Sequence, residues 1–156
     1  MKEKADIPID GKGNYIYEAV DITNYDGDSF RCTICKTWDF GFGIHVTQEY
    51  SIATRIKGVD TPELRDDRPD FKAAAFLARD NAREFVHSSG YVKFLSMDKP
   101  DKYGRALGDF ITEDGEKLSE YLLKHRMGVP YDGQNKADVE NAHEANIEYL
   151  KEQKLI

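Results

Sequence analysis

Three short strings carry side chains that can do chemistry together. Asp26-Gly27-Asp28-Ser29 sets two carboxylates around a glycine. Asp28 offers a hard oxygen ligand of the kind Ca2+ and Mg2+ take, and Asp26 is near enough in the chain to orient a water beside it. Arg55-Ile56-Lys57-Gly58-Val59-Asp60-Thr61-Pro62-Glu63 puts a guanidinium and two carboxylates in one short segment. Arg55 can grip a phosphate with its planar fork, Asp60 can bind a metal, and Glu63 can accept a proton or hold a water. Asp101-Lys102-Tyr103-Gly104-Arg105 brings a second guanidinium, suited to charge that grows on phosphoryl oxygens. Lys102 and Tyr103 suit contact with a phosphate or stacking near a base. Phosphodiester hydrolysis needs all of these: a cation, a positioned water and donors for the developing charge.

Each string also has a plainer reading. Asp-Gly-Asp is a common turn. Asp60 or Thr61 can cap a short helix, with Pro62 at its first position and Glu63 at its positive end. Asp101–Arg105 reads as a β-turn with a glycine. Singly, the strings leave both readings open. Together and in this order, with a helix between the second and third, they resemble the staphylococcal (thermonuclease-type) nuclease family. That family's pattern is Asp-Gly-Asp-Ser/Thr, then Arg-x-x-Gly/Leu-x-Asp-Thr-Pro-Glu, then Asp-Lys-Tyr-Gly-Arg. The likeness runs from Tyr15 to Tyr149, and Leu122–Tyr131 is similar to a further family segment.

The resemblance implies an α+β fold, a five-stranded oligonucleotide-binding (OB) barrel with three helices. It implies that Asp28 and Asp60 are carboxylate ligands of one Ca2+, with Mg2+ as the alternative, and that the Thr61 backbone carbonyl is a third ligand. Asp26 would orient water beside them. Glu63 would act as general base or position the attacking water. Arg55 and Arg105 would grip the phosphate and stabilise the transition state. DNA and RNA would be cut to leave 3′-phosphate and 5′-hydroxyl ends. Tyr131 would stack on a base, with Lys102 and Tyr103 also on the substrate. The family's second tyrosine, two residues on, is absent, because the chain reads Asp132-Gly133 after Tyr131. The segment from Glu63 to the first helix is shorter than in the best-known member, and the Trp38–Tyr50 insertion is longer. An ordinary long hairpin is the favoured reading of that insertion. An OB module that binds nucleic acid without cutting it is the second reading of the whole chain. A protein-interaction domain on the same barrel is the third.

The elements that must position these residues follow from periodicity. Tyr15–Thr23 and Ser29–Thr37 read as strands around an Asp-Gly turn, and Glu49–Lys57 as a third strand with Ile52, Thr54 and Ile56 on one face. Trp38–Thr47, with Gly41 and Gly43, reads as a loop or distorted hairpin tip. Phe71, Ala75, Ala78, Ala82 and Phe85 mark one face of a helix over Pro69–His87. Tyr91–Met97 and Arg105–Thr112 are two more strands. Leu118, Tyr121, Leu122 and His125 mark a second helix, for which Gly128 is the expected left-handed cap. Ala137–Lys154 is a charged, weakly amphipathic third helix. The order β-β-β-α-β-β-α-α fits a small Greek-key barrel.

At 156 residues the chain fits one domain, expected over residues 15–156 after an N-terminal extension of residues 1–14. Apolar residues make up 40% and no apolar run nears the ~20 residues that span a bilayer, so no membrane is expected. Met1–Asp10 lacks the basic-then-apolar pattern of a signal peptide, so a cytoplasmic protein is expected, or a secreted one if a leader was removed before this numbering. A monomer is expected. The formal charge of −7 opposes long-range attraction of a polyanion, which a bound cation and clustered arginines can reverse locally. Cys32 and Cys35 are three apart on an expected strand and point to opposite faces, which argues against zinc or redox pairing. His45, His87, His125 and His143 are scattered, and none adjoins a motif carboxylate in sequence.

Overall fold

The structure, a computed structural model, describes residues 2–3, 15–97 and 99–156. Five strands precede the first helix: β1 (Lys2–Glu3), β2 (Tyr15–Asn24), β3 (Ser29–Gly41), β4 (Ile44–Ile56) and β5 (Val59–Asp60). Then come α1 (Pro69–His87), β6 (Val92–Ser96), β7 (Ala106–Thr112), α2 (Leu118–Lys124), β8 (Val129–Pro130) and α3 (Lys136–Glu152). The expected extension, residues 1–14, lies outside the described residues except for β1, which pairs with Trp38 and Asp39 of β3.

Strands β2, β3, β4, β7 and β6 close into a ring. Neighbours are antiparallel except β4 and β7, which run parallel where Thr54–Ile56 meets Ala106–Gly108. With α1 inserted after β4, this is the α+β OB-type barrel expected from the element order. Alternate strand residues point inward, so Ala19, Phe30, Cys32, Ile56, Phe94 and Phe110 are buried together. Phe110 lies between Phe30 and Phe94, with ring centroids at 5.0 and 5.3 Å and the rings tilted. An irregularity in β2 between Val20 and Thr23, where Asp21 has φ 51°, bends the strand as barrel closure requires.

Helix α1 forms where the sequence places it. Pro69 opens it at a position that needs no N–H, and Asp70 lies near its positive end. Its buried stripe includes Phe71, Ala75, Ala78, Ala82 and Phe85. The segment before it, residues 61–68, is irregular, so the capping reading of Asp60 and Thr61 fails.

One expectation is corrected and two are sharpened. Of the loop and the distorted hairpin tip expected at Trp38–Thr47, the hairpin is present: β3 and β4 pair out to Gly41 and Ile44, and Phe42–Gly43, both at positive φ (56° and 76°), makes the two-residue turn. The favoured hairpin reading of the insertion therefore holds. Gly128 is not the left-handed cap of α2. Arg126 takes that conformation (φ 59°), and the Met127 N–H donates to the Leu122 carbonyl at 2.9 Å. Gly128 instead lies against β5, where a Cβ would stand 2.5 Å from Val59 Cγ2. Finally, α3 has a defined buried face of His143, Asn146, Ile147 and Leu150. Ile147 and Leu150 join Phe71 and Ala74 of α1 in a second apolar cluster, which docks α3 beside β8 and β5.

Candidate active site

The chain turns at Gly58 (φ 83°), so that β5 starts only three residues after β4 ends. This brings the Arg55 side chain alongside β5. Nη1 of Arg55 donates to the Ile56 carbonyl at 2.9 Å and the Val59 carbonyl at 2.8 Å. The same nitrogen lies 3.1 Å from Asp28 Oδ2, and Nη2 lies 3.3 Å from Asp60 Oδ1. One guanidinium therefore ties the carboxylates of the first two strings together.

The Asp26–Ser29 turn reaches Thr61 because Gly27 has no side chain. A Cβ there would stand 2.8 Å from Thr61 Cγ2 and 3.1 Å from Ala78 Cβ. The Thr61 N–H donates to Asp28 Oδ2 at 2.8 Å, and Ser29 Oγ donates to Asp28 Oδ1 at 3.3 Å. Asp26 closes the turn by accepting the Asp28 N–H at 3.2 Å. Asp28 is only 5% exposed. Burial pushes its carboxyl up to about 8, against the pull of Arg55 and with the Asp26 carboxylate adding to the rise.

The third string is built around Asp101. Its Oδ1 accepts the Tyr103 and Arg105 N–H groups, both at 2.9 Å, and its Oδ2 accepts Arg105 Nε at 2.7 Å. Burial opposes its charge, but the donors on Arg105 and Tyr103 hold the carboxyl below the usual range. Arg105 Nη1 donates to Ser29 Oγ at 3.2 Å, which joins the third string to the first. Lys102 and Tyr103 lie at the rim, with Lys102 Nζ 5.1 Å from the Tyr103 ring centre. Tyr131 is held by its N–H donating to the Gly58 carbonyl at 3.0 Å, and its side chain shares an adjoining cleft with Lys102, Tyr103 and Arg105.

Asp26, Asp28, Arg55, Asp60, Thr61, Glu63, Tyr103 and Arg105 all line one cleft of about 620 Å³. Glu63 is exposed on its wall and accepts Arg65 Nε at 3.1 Å. Direct contacts thus link Asp28, Arg55, Asp60 and Arg105 through Ser29, while Glu63, Lys102, Tyr103 and Tyr131 stand around them. Two participants were not evident in the sequence. Asp101, there only the first residue of a turn, holds Arg105. His143, there one of four scattered histidines, places Nε2 2.8 Å from Asp60 Oδ2. An ionised carboxylate only accepts, so Nε2 carries the proton. The available signal was the spacing of His143, Asn146, Ile147 and Leu150 on one helical face.

Asp28 and Asp60, with the Thr61 carbonyl, would make an oxygen-only donor set, which suits a hard cation better than a soft one. Thr61 Oγ1 is buried with no hydrogen-bond partner among the described residues, and burial holds the Asp28 carboxyl raised even with Arg55 Nη1 at 3.1 Å. A divalent cation fits both observations. No group of three His, Cys, Asp or Glu side chains that could hold a metal occurs among the described residues, so the backbone and solvent must complete such a site. Cys32 and Cys35 are free thiols on β3, and burial pushes the Cys32 thiol up to about 12. The family described as Staphylococcal nuclease homologue matches residues 53–154, a span that includes the second and third strings. No curated protein matches the chain.

Proposed function

The chain belongs to the staphylococcal nuclease homologue family, and from that premise we propose that it is a metal-dependent endonuclease for DNA, with RNA as a second substrate, formed by one domain over residues 15–156. The observation that supports this most is the set of groups on one cleft: three guanidiniums, Arg55, Arg65 and Arg105, beside four carboxylates, Asp26, Asp28, Asp60 and Glu63. A surface that only binds nucleic acid is served by cations alone. Carboxylates placed among them repel phosphate unless a metal ion lies between, so the arrangement favours hydrolysis over passive binding.

Asp28, Asp60 and the Thr61 carbonyl would hold Ca2+, or Mg2+ in its place. When bound, the ion supplies Lewis-acid charge beside the phosphoryl oxygens. The remaining work belongs to side chains. Arg55, fixed by two backbone carbonyls, and Arg105, braced by Asp101 and Ser29, offer their free N–H groups to the phosphate. Their charge is in place before the reaction starts, which is where such donors gain their effect. Glu63 positions the attacking water and takes its proton. As the water oxygen bonds to phosphorus, the bond from phosphorus to the 5′ oxygen breaks and that oxygen takes a proton from solvent, leaving a 3′-phosphate and a 5′-hydroxyl. Tyr103 and Tyr131 offer ring faces to bases, and Lys102 a point charge to a phosphate. No helix of the described residues is long and apolar enough to cross a membrane. A cytoplasmic monomer is the accompanying proposal.

The test is cleavage of single-stranded DNA with Ca2+, with Mg2+ and with chelator, beside a Glu63→Gln protein. Cleavage that needs metal and falls on the order of 10²-fold or more in the variant is the expected result. Intact DNA in every metal, with the protein folded, would move the assignment to a binding module.

A further inference from the structure

His143 is one of two buried polar residues, with Asn146, on the inward face of α3, and it is only 6% exposed. It spends its Nε2–H on Asp60 Oδ2, at 2.8 Å. The other oxygen, Oδ1, faces Arg55 Nη2 at 3.3 Å. Asp60 thus has each oxygen held from a different element, α3 on one side and β4 on the other. It needs that support, because β5 is two residues long and pairs only with the equally short β8. The next inward residue of α3 grips the chain where it enters that partner strand, with Asn146 Nδ2 donating to the Gly128 carbonyl at 3.0 Å. One face of α3 therefore clamps both strands of the small sheet.

We infer that His143 is a positioning residue that aims the Asp60 carboxylate at the divalent cation. The inference rests on the metal-dependent reading above. A carboxylate has about four lone-pair positions. One donor on each oxygen fixes the rotation of the group and leaves a position on each oxygen for a metal. If the contact served folding alone, an apolar side chain of similar volume would do as well without the desolvation of an imidazole and a carboxylate. Hydrogen-bond partners of metal ligands typically control metal affinity by 10–100-fold.

The experiment compares His143→Gln with His143→Asn. The Gln amide nitrogen reaches the place of Nε2, whereas the Asn nitrogen ends one bond short at the place of Nδ1. Full-length proteins are titrated with Ca2+ alone by calorimetry, and their thermal midpoints are measured in chelator. The Gln protein should bind Ca2+ within about threefold of wild type, and the Asn protein about 10–100-fold more weakly, at similar midpoints. A purely structural histidine would not give this rescue by reach. Wild-type affinity in the Asn protein, or equal losses in both, would overturn the role of His143 while leaving the metal reading intact. No binding of Ca2+ or Mg2+ by the wild-type protein would overturn both.

Discussion

The Arg55 guanidinium meets two carbonyls and two carboxylates at once, and only a planar fork with several donors can do so. A lysine at this position would keep the charge and lose the geometry. Arg55→Lys should therefore slow cleavage on the order of 10²-fold, and it should also lower the unfolding midpoint in chelator, because Asp28 and Asp60 lose their shared partner. Arg105 is different: its carboxylate partner, Asp101, belongs to its own turn. Arg105→Ala should reduce kcat by roughly 10²–10³-fold and leave stability nearly unchanged. Steady-state kinetics at saturating metal, with thermal melts alongside, would separate the two. Equal stability losses would show that the two arginines play the same part. The residue types were legible in the sequence, since a guanidinium and a carboxylate announce their chemistry. The partners were not, because Arg55 to Asp28, Arg105 to Ser29 and Asp60 to His143 are contacts between distant parts of the chain.

Elements hold one another by groups that lie outside them. Helix α2 begins at Lys117 with no side-chain cap of its own. Its first-turn Ser119 N–H is instead accepted by Asp109 of β7 at 3.1 Å, and the Ser119 hydroxyl bonds the same carboxyl. Burial pushes the Asp109 carboxyl up to about 6, against the Ser119 and Phe110 donors, from an ordinary value of 3.8. A group raised in the folded state favours folding while it is protonated. Its contribution is fully present below about pH 4 and is lost as pH rises through about 6. Asp109→Asn should remove that slope, so wild type should lose up to about 3 kcal/mol relative to the variant between pH 4 and 7. Denaturant titrations across this range would check it, and parallel profiles would mean that burial does not control the carboxyl. A second prediction concerns Gly128. A Cβ there would stand 2.5 Å from Val59 Cγ2 and 3.2 Å from the Asp60 carbonyl. Gly128→Ala should cost about 1–3 kcal/mol of stability and weaken Ca2+ binding as well, because the strain falls on β5.

At the scale of the whole molecule, a net charge of −7 surrounds a small cationic site. Four cations, Arg55, Lys57, Lys102 and Arg105, line the cleft that also holds Tyr131. Binding of single-stranded DNA to the Glu63→Gln protein in Ca2+ should therefore weaken with salt at a log–log slope of only about −3, at roughly 0.7 per phosphate contact. Fluorescence anisotropy would measure it, and a slope steeper than about −4 would require a basic surface beyond this cleft. The β3–β4 hairpin stands apart from that cleft. Phe40, Phe42, Ile44 and Val46 are exposed along it, and none belongs to the apolar core.

The sequence by itself determined the order of the elements, the boundaries of α1 and the kinds of side chain at the site. Those depend on local periodicity and on residue chemistry, and both are written in short stretches of chain. It also announced Asp28, Arg55, Asp60, Glu63 and Arg105, because their strings are dense in groups that share one chemistry. Only the tertiary structure decided what holds them. Gly27 and Gly128 are small because two segments pass close to the Asp60–Thr61 strand. His143 reaches Asp60 across 83 residues of sequence. Asp109 serves a helix that it is not part of. A sequence lists neighbours along the chain, whereas hydrogen bonds and steric limits act between neighbours in space, and folding is the step that relates the two.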